Sequence, residues 1–151
     1  MREIHDSAEA TLPVPPTDLF AAITRIECLP DWNTAIERVI DQPTALKPGA
    51  SWTVEMHPAR LMRWRSVSTV QLLDEEGLRF GYRTVNADGN PSHALWEWSV
   101  QPANGGASVR VRWDVFLETL DRQLLAGPIR RRQLRREVAA SLGRLGSFAS
   151  R

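Results

Sequence analysis

The sequence predicts an α+β domain in which a curved antiparallel sheet of seven strands wraps a long C-terminal helix, with two short helices after the first strand. Three observations lead there. From Ser51 to Leu117, apolar residues recur at every second position in runs separated by turn signals, the signature of successive hairpins. The intervals between runs leave no room for the helical crossovers that parallel strands need. From Ile129 onward the apolar period lengthens to three to five residues, which is a helical stripe.

Taken in order, Glu3 to Leu12 alternates as a strand with Ile4, Ala8, Ala10 and Leu12 on one side, a pattern that Asp6 interrupts. Pro13, Pro15 and Pro16 end it. Proline is tolerated in a first helical turn, and Asp18 suits the positive end of the helix dipole, so Leu19, Phe20, Ile23 and Ile26 define a short amphipathic helix. Pro30 interrupts it, and Asp31 to Ile36 reads as a second short helix or turn. Val39-Ile40 reads as a short strand, and Lys47-Pro48-Gly49 as a turn. Ser51 to His57 carries Trp52, Val54 and Met56 on one face, followed by a loop over Pro58 to Met62. Trp64 to Leu73 is a longer strand, turned by Asp74-Glu75-Glu76-Gly77. Leu78, Phe80 and Tyr82 alternate with Arg79, Gly81 and Arg83. Ala94, Trp96, Trp98 and Val100 alternate with Leu95, Glu97 and Ser99, and Val109 to Leu117 repeats the pattern. In the last segment Ile129, Leu134, Val138, Leu142, Leu145 and Phe148 form the stripe, with Leu120, Leu124 and Leu125 in a preceding turn and Gly127-Pro128 at a kink or the true start. About 20 residues at 1.5 Å each give a helix roughly 30 Å long, the width of a small domain. One such helix cannot fill a concave seven-stranded sheet, so a hollow between the two is the natural ligand site.

The 151 residues fit one domain, 1–151, with one core; 42% are hydrophobic and 25% charged, as in ordinary globular proteins. No run of residues is long and apolar enough for a membrane span. The charged N-terminus lacks the apolar segment of a signal peptide, and Cys28 is the only cysteine, which together lead us to expect a reducing, cytoplasmic setting. The net charge of +1 is unevenly spread: Ile129 to Arg151 holds seven arginines and one acid, Glu137, for +6, against −5 in the rest, with twelve basic and seventeen acidic residues. Because the arginines fall off the apolar stripe, they read as a solvated outer helix face in preference to a membrane-docking surface. His5, His57 and His93 lack metal-ligand spacing, and no phosphate-binding glycine motif, nucleophile elbow or nucleic-acid motif is present, so no metal, no cofactor and no nucleic-acid partner is expected.

Particular segments carry a family resemblance. They are Val14-Pro15-Pro16-Thr17-Asp18-Leu19-Phe20 at the first helix, Leu29-Pro30-Asp31-Trp32-Asn33 after it, Trp96 to Val111 with its Gly105-Gly106 hairpin, and the arginine- and leucine-rich terminal helix. In these the whole chain resembles the START-like, or SRPBCC, superfamily, and within it the polyketide cyclase/dehydrase and lipid-transport branch. The resemblance implies a helix-grip fold with a deep cavity between sheet and final helix, and places residues near the Pro-x-Trp turn at or near its mouth. Such patterns specify fold more tightly than chemistry.

Six tryptophans stand out: Trp32, Trp52, Trp64, Trp96, Trp98 and Trp113. Indole is a heavy apolar filler and can simply build core. It can equally line a pocket, stack on a flat guest and offer an N–H donor. The six tryptophans and Phe80 are therefore the candidate ligand-binding residues. Burying about 300 Å² of a guest at roughly 25 cal/mol/Å² contributes about 7 kcal/mol before association costs. Tyr82, the only tyrosine, shares the inward parity and is a candidate donor to a carbonyl, although an ordinary structural hydrogen bond would serve it as well. Asn33 is a second candidate, against a plain turn role. Glu55, His57, His93, Glu97 and Asp114 face solvent by parity unless a β-bulge reverses them. Two readings follow: a cofactor-independent enzyme that cyclises or dehydrates a hydrophobic ketone, or a non-catalytic carrier for a lipid, quinone or similar metabolite. Nothing in the sequence selects between a monomer and a homodimer.

Overall fold

The computed structural model describes residues 2–119 and 127–151. Strands β1 (Arg2–Leu12), β2 (Ile36–Asp41), β3 (Ser51–Ala59), β4 (Met62–Asp74), β5 (Arg79–Asn86), β6 (His93–Ala103) and β7 (Gly106–Leu117) form one antiparallel sheet in the order β1-β7-β6-β5-β4-β3-β2. Between β1 and β2 lie α1 (Pro16–Thr24), a 3-10 turn (Ile26–Cys28) and α2 (Leu29–Trp32); α3 (Gly127–Ala149) closes the chain. The helix-grip architecture is thus the one the alternation predicts. Leu120, Leu124 and Leu125 lie outside the described residues.

Turn chemistry sets the hairpins. Asn104-Gly105 separates the paired Ala103 and Gly106, and Gly105 has φ +78°, the left-handed backbone that a two-residue hairpin favours. Gly106 is required for a second reason: a Cβ there would sit 2.0 Å from the Leu12 carbonyl oxygen, where β7 passes the end of β1. In β4 a bulge between Val70 and Leu72 shifts the register, so that Val70 opposes Tyr82 and Leu73 opposes Phe80. Both residues therefore keep to the concave side despite their odd spacing.

Several expected boundaries move. Pro30 does not break a helix but sits in the first turn of α2, where its missing N–H is no loss; α2 therefore begins at Leu29 and ends before Asn33. Ile36 belongs to β2, which extends well beyond Val39-Ile40. The expected loop over Pro58 to Met62 shrinks to Arg60 and Leu61, because β3 runs on through Pro58 next to a register irregularity. Ile129 is 69% exposed and leaves the stripe. At 100° per residue it lies about 140° around the helix from Leu134, whereas Leu134, Val138, Ser141, Leu142 and Leu145 share the buried side.

The core is built at one end of the hollow. There α1 packs on β6 and β7, and α3 packs on β1, α1 and α2. Val14, Leu19, Ile23, Val109, Val111 and Leu145 are essentially inaccessible to solvent. The residue that interrupts the β1 alternation explains itself: Asp6 faces α3 and accepts a hydrogen bond from Arg135 Nε. Among the described residues, no helix is long and apolar enough to cross a membrane.

Candidate functional site

At the other end, sheet and helix part. An inner chamber of about 80 Å³ is walled by Trp52, Val54, Tyr82 and Trp98 from the sheet, Leu29 and Asn33 after α1, and Val138 and Ser141 from α3. An outer chamber of about 270 Å³ runs on between Trp64, Ala94, Val115 and Leu117. Met56, Thr84, Trp96, Arg130 and Leu134 line both, so the two chambers adjoin. Alternation along the strands dictates the lining: inward positions of β3 to β6 carry the aromatic and small hydroxyl side chains, and the outward ones carry charge.

Polar groups are few and mostly committed. Tyr82 Oη accepts the indole N–H of Trp98 at 3.1 Å. Burial pushes the Tyr82 hydroxyl up to about 12, so it stays protonated and is a donor in place of a base. No acceptor among the described residues takes that proton. Trp98 meets Trp32 edge to face at 5.5 Å, and Trp52 meets Tyr82 at 5.0 Å. Asn33 Oδ1 accepts the backbone N–H of Ala35 at 3.1 Å, which fixes the turn after α2 and leaves Nδ2 as its remaining donor. Ser68 and Thr84 hydrogen-bond each other at 2.7 Å, and Ser141 Oγ accepts the Thr34 backbone N–H at 3.1 Å.

Among the described residues, the one carboxylate on the inner wall is Glu137. It lies on the α3 face between Leu134 and Ser141, and Arg130 Nη1 donates to its Oε1 at 3.1 Å. Burial raises its pKa above the ordinary glutamic acid value, an effect that Arg130 partly offsets. A buried carboxyl that can hold or release a proton, lining the same chamber as a neutral tyrosine donor, is a combination from which acid–base chemistry can be built. Among the described residues, no group of three or more His, Cys, Asp or Glu side chains could hold a metal ion.

Residues 3–147 match the family described as polyketide cyclase / dehydrase and lipid transport. The chain belongs to this family. No curated protein matches its sequence. Solved structures place this polyketide cyclase/dehydrase and lipid-transport family member in a wide fold neighbourhood. It is similar to the ZhuI aromatase/cyclase from Streptomyces sp. R1128, with 17% identity, TM-score 0.79, and coverage of 99% of this chain and 95% of that one. It is similar to Ara h 8.0201, with 17% identity, TM-score 0.75 and 98% coverage of each chain. It also matches the di-domain aromatase/cyclase StfQ of the steffimycin biosynthetic pathway, with 12% identity and TM-score 0.78, covering 98% of this chain but 51% of that one. At these identities the likeness is one of fold.

The structure brings most of the sequence-derived candidates together. Trp52, Trp96 and Trp98 line the inner chamber with Tyr82 and Asn33, and Trp64 lines the outer one. Trp32, Phe80 and Trp113 stand one layer behind: all three are fully buried, with Phe80 stacked on Trp52 at 5.9 Å and Trp113 stacked on Trp96 at 5.7 Å. They hold the lining in place. The strand acids keep to the outer face as parity predicts, where Arg38 and Arg63 grip Glu55 at 2.7 and 2.9 Å and hold its carboxyl below the ordinary range. Sequence reasoning passed over Arg130 and Glu137. The available signal was phase: Glu137 follows Leu134 by three residues and precedes Val138 by one, which puts it on the buried stripe.

Proposed function

We propose that this family member binds a small, largely apolar ketone in the aromatic cavity and promotes its cyclisation or dehydration without a cofactor. The observation that carries the reading is the Tyr82 hydroxyl, buried among indoles, polarised by the Trp98 N–H and left with its own proton free to donate. A carbonyl oxygen of the guest accepts that proton in a hydrogen bond, with Asn33 Nδ2 as a second donor. Donors fixed in advance in a dry site stabilise the charge that develops on oxygen. The carboxylate form of Glu137 removes a proton from the carbon next to the carbonyl. The resulting enolate carbon bonds to a second carbonyl carbon of the same chain, and the π electrons of that C=O move to its oxygen, which takes the proton back from Glu137. Glu137, again a carboxylate, then removes the remaining proton of the newly bonded carbon and passes it to the hydroxyl, which leaves as water as the C=C bond forms. The aromatic walls contribute by holding the reacting carbons near each other.

The test uses 2-acetylnaphthalene as probe, following exchange of its methyl protons for deuterium by NMR. We expect the protein to accelerate exchange, and Glu137→Gln and Tyr82→Phe to lose most of the acceleration, on the order of 100-fold, while still quenching indole fluorescence on binding. Binding without acceleration, or acceleration that both variants retain, defeats the catalytic reading. One observation favours a carrier for a lipid or quinone in its place: the Glu137 carboxyl is already engaged by Arg130. Native mass spectrometry of protein from its own host, showing a stoichiometric co-purified lipid, would support that reading.

A further inference from the structure

Arg130 stands where the two chambers join, with a side chain only 21% exposed. Its Nη1 is spent within the helix, donating to Gln133 Oε1 at 3.0 Å and to Glu137 Oε1 at 3.1 Å. Its guanidinium carbon lies 5.3 Å from the centroid of the Trp64 ring, and the Trp64 N–H is itself fixed by Ser66 Oγ at 3.1 Å. The fork is thus clamped at one nitrogen and braced on an aromatic ring. Its other edge, Nε–H and one Nη2–H, meets no acceptor among the described residues. That edge presents two parallel donors, the geometry that receives a carboxylate through two hydrogen bonds. A purely apolar guest filling the outer chamber would strip water from these donors and return nothing, which is expensive for a charged group.

From this we infer that Arg130 is an acid-reading subsite, and that the preferred ligand is a flat apolar molecule carrying a carboxylate, bound on the Nε/Nη2 edge with its ring system between Trp64 and Trp96. The inference rests on the cavity-binding reading above and adds a substrate class to it: a ketone that is also an acid. Among the described residues, the carboxylates that line the two chambers are Glu137 on α3 and Asp88 on the loop after β5, and Glu137 disfavours a second anion. Glu137 shares the guanidinium directly, so the guest's carboxylate and the Glu137 carboxylate compete for it.

Calorimetry with 2-naphthoate and 2-acetylnaphthalene, nearly the same shape with and without the charge, tests the subsite. In the wild-type chain 2-naphthoate should bind about tenfold more tightly than the ketone. Arg130→Gln should bring the ratio of the two affinities to about one. Arg130→Lys, which keeps the charge but not the fork, should leave it in between. Glu137→Gln, by removing the competitor, should raise it several-fold. A wild-type ratio near one, or a ratio that Arg130→Gln leaves unchanged, overturns the acid-reading role while the cavity reading stands. If neither compound binds the wild-type chain, both readings fall.

Discussion

The two halves of α3 lie against the same sheet and end up in opposite states. Toward its C-terminus, Leu142 and Leu145 are buried against the β1 and α1 side, and Gly146 lets Leu12 come so close that a Cβ would stand 3.1 Å from Leu12 Cδ2. Toward its N-terminus, Leu134 and Val138 are buried as well but wall the hollow, and Arg130 and Glu137 occupy positions that a closed core would give to apolar side chains. The β1 end of the helix is therefore packed as an interior, and the β3–β5 end as a wall. A single helix axis cannot follow a sheet that curls away from it. The difference between the halves is the cavity, and it is maintained by small side chains where contact is close and by polar ones where contact fails.

Truncating the two ends is the strongest way to test that contrast. Leu145→Ala removes a side chain enclosed on all sides and should cost about 3 to 5 kcal/mol in urea denaturation. Leu134→Ala removes one that borders empty space and so has fewer contacts to lose; it should cost nearer about 2 kcal/mol, and equal losses would erase the distinction. A smaller effect separates the flanks of one helical turn. Asp6 is held below its ordinary value of 3.8 by Arg135, so its contribution is present above that value and is lost as pH falls below it. Asp6→Asn should cost about 0.2 to 1 kcal/mol near neutral pH, given that Arg135 is mostly exposed, and the deficit should vanish in acid. The smallest effect has the opposite sign. The folded-state pKa of Glu137 lies above its ordinary value of 4.5, so its stabilising contribution is complete below that value and is lost as pH rises through the raised one. Relative to Glu137→Gln, the wild-type melting temperature should therefore fall as pH climbs from 4.5 toward neutrality; a parallel pair of pH profiles would show that Glu137 is not desolvated.

Where the sequence was legible, one rule sufficed. Period-two alternation from Trp52 to Leu117 fixes which side chains share a face, and the Asn104-Gly105 turn and the shift to helical period fix where strands stop and the helix takes over. The inward tryptophans, the inward Tyr82 and the outward Glu55 and Glu97 all follow from parity. Alternation is silent about depth, which is why Trp113 and Trp96 look alike in sequence although one supports the wall and the other is the wall. It is silent too about partners across the molecule: Asp6 reads as a blemish in a strand until Arg135 stands opposite, 129 residues away.

What the sequence determined by itself is thus the set of elements and, the bulged Leu73 and the exposed Ile129 aside, the face each apolar residue presents, because those depend on neighbours two to four positions apart. Only the tertiary structure decided where sheet and helix fail to meet, and with that the conversion of Glu137 and Arg130 from an unremarked pair on a charged helix into the polar groups of a cavity. Desolvation and hydrogen-bond geometry arise between segments far apart in the chain, and no local pattern encodes the distance between them.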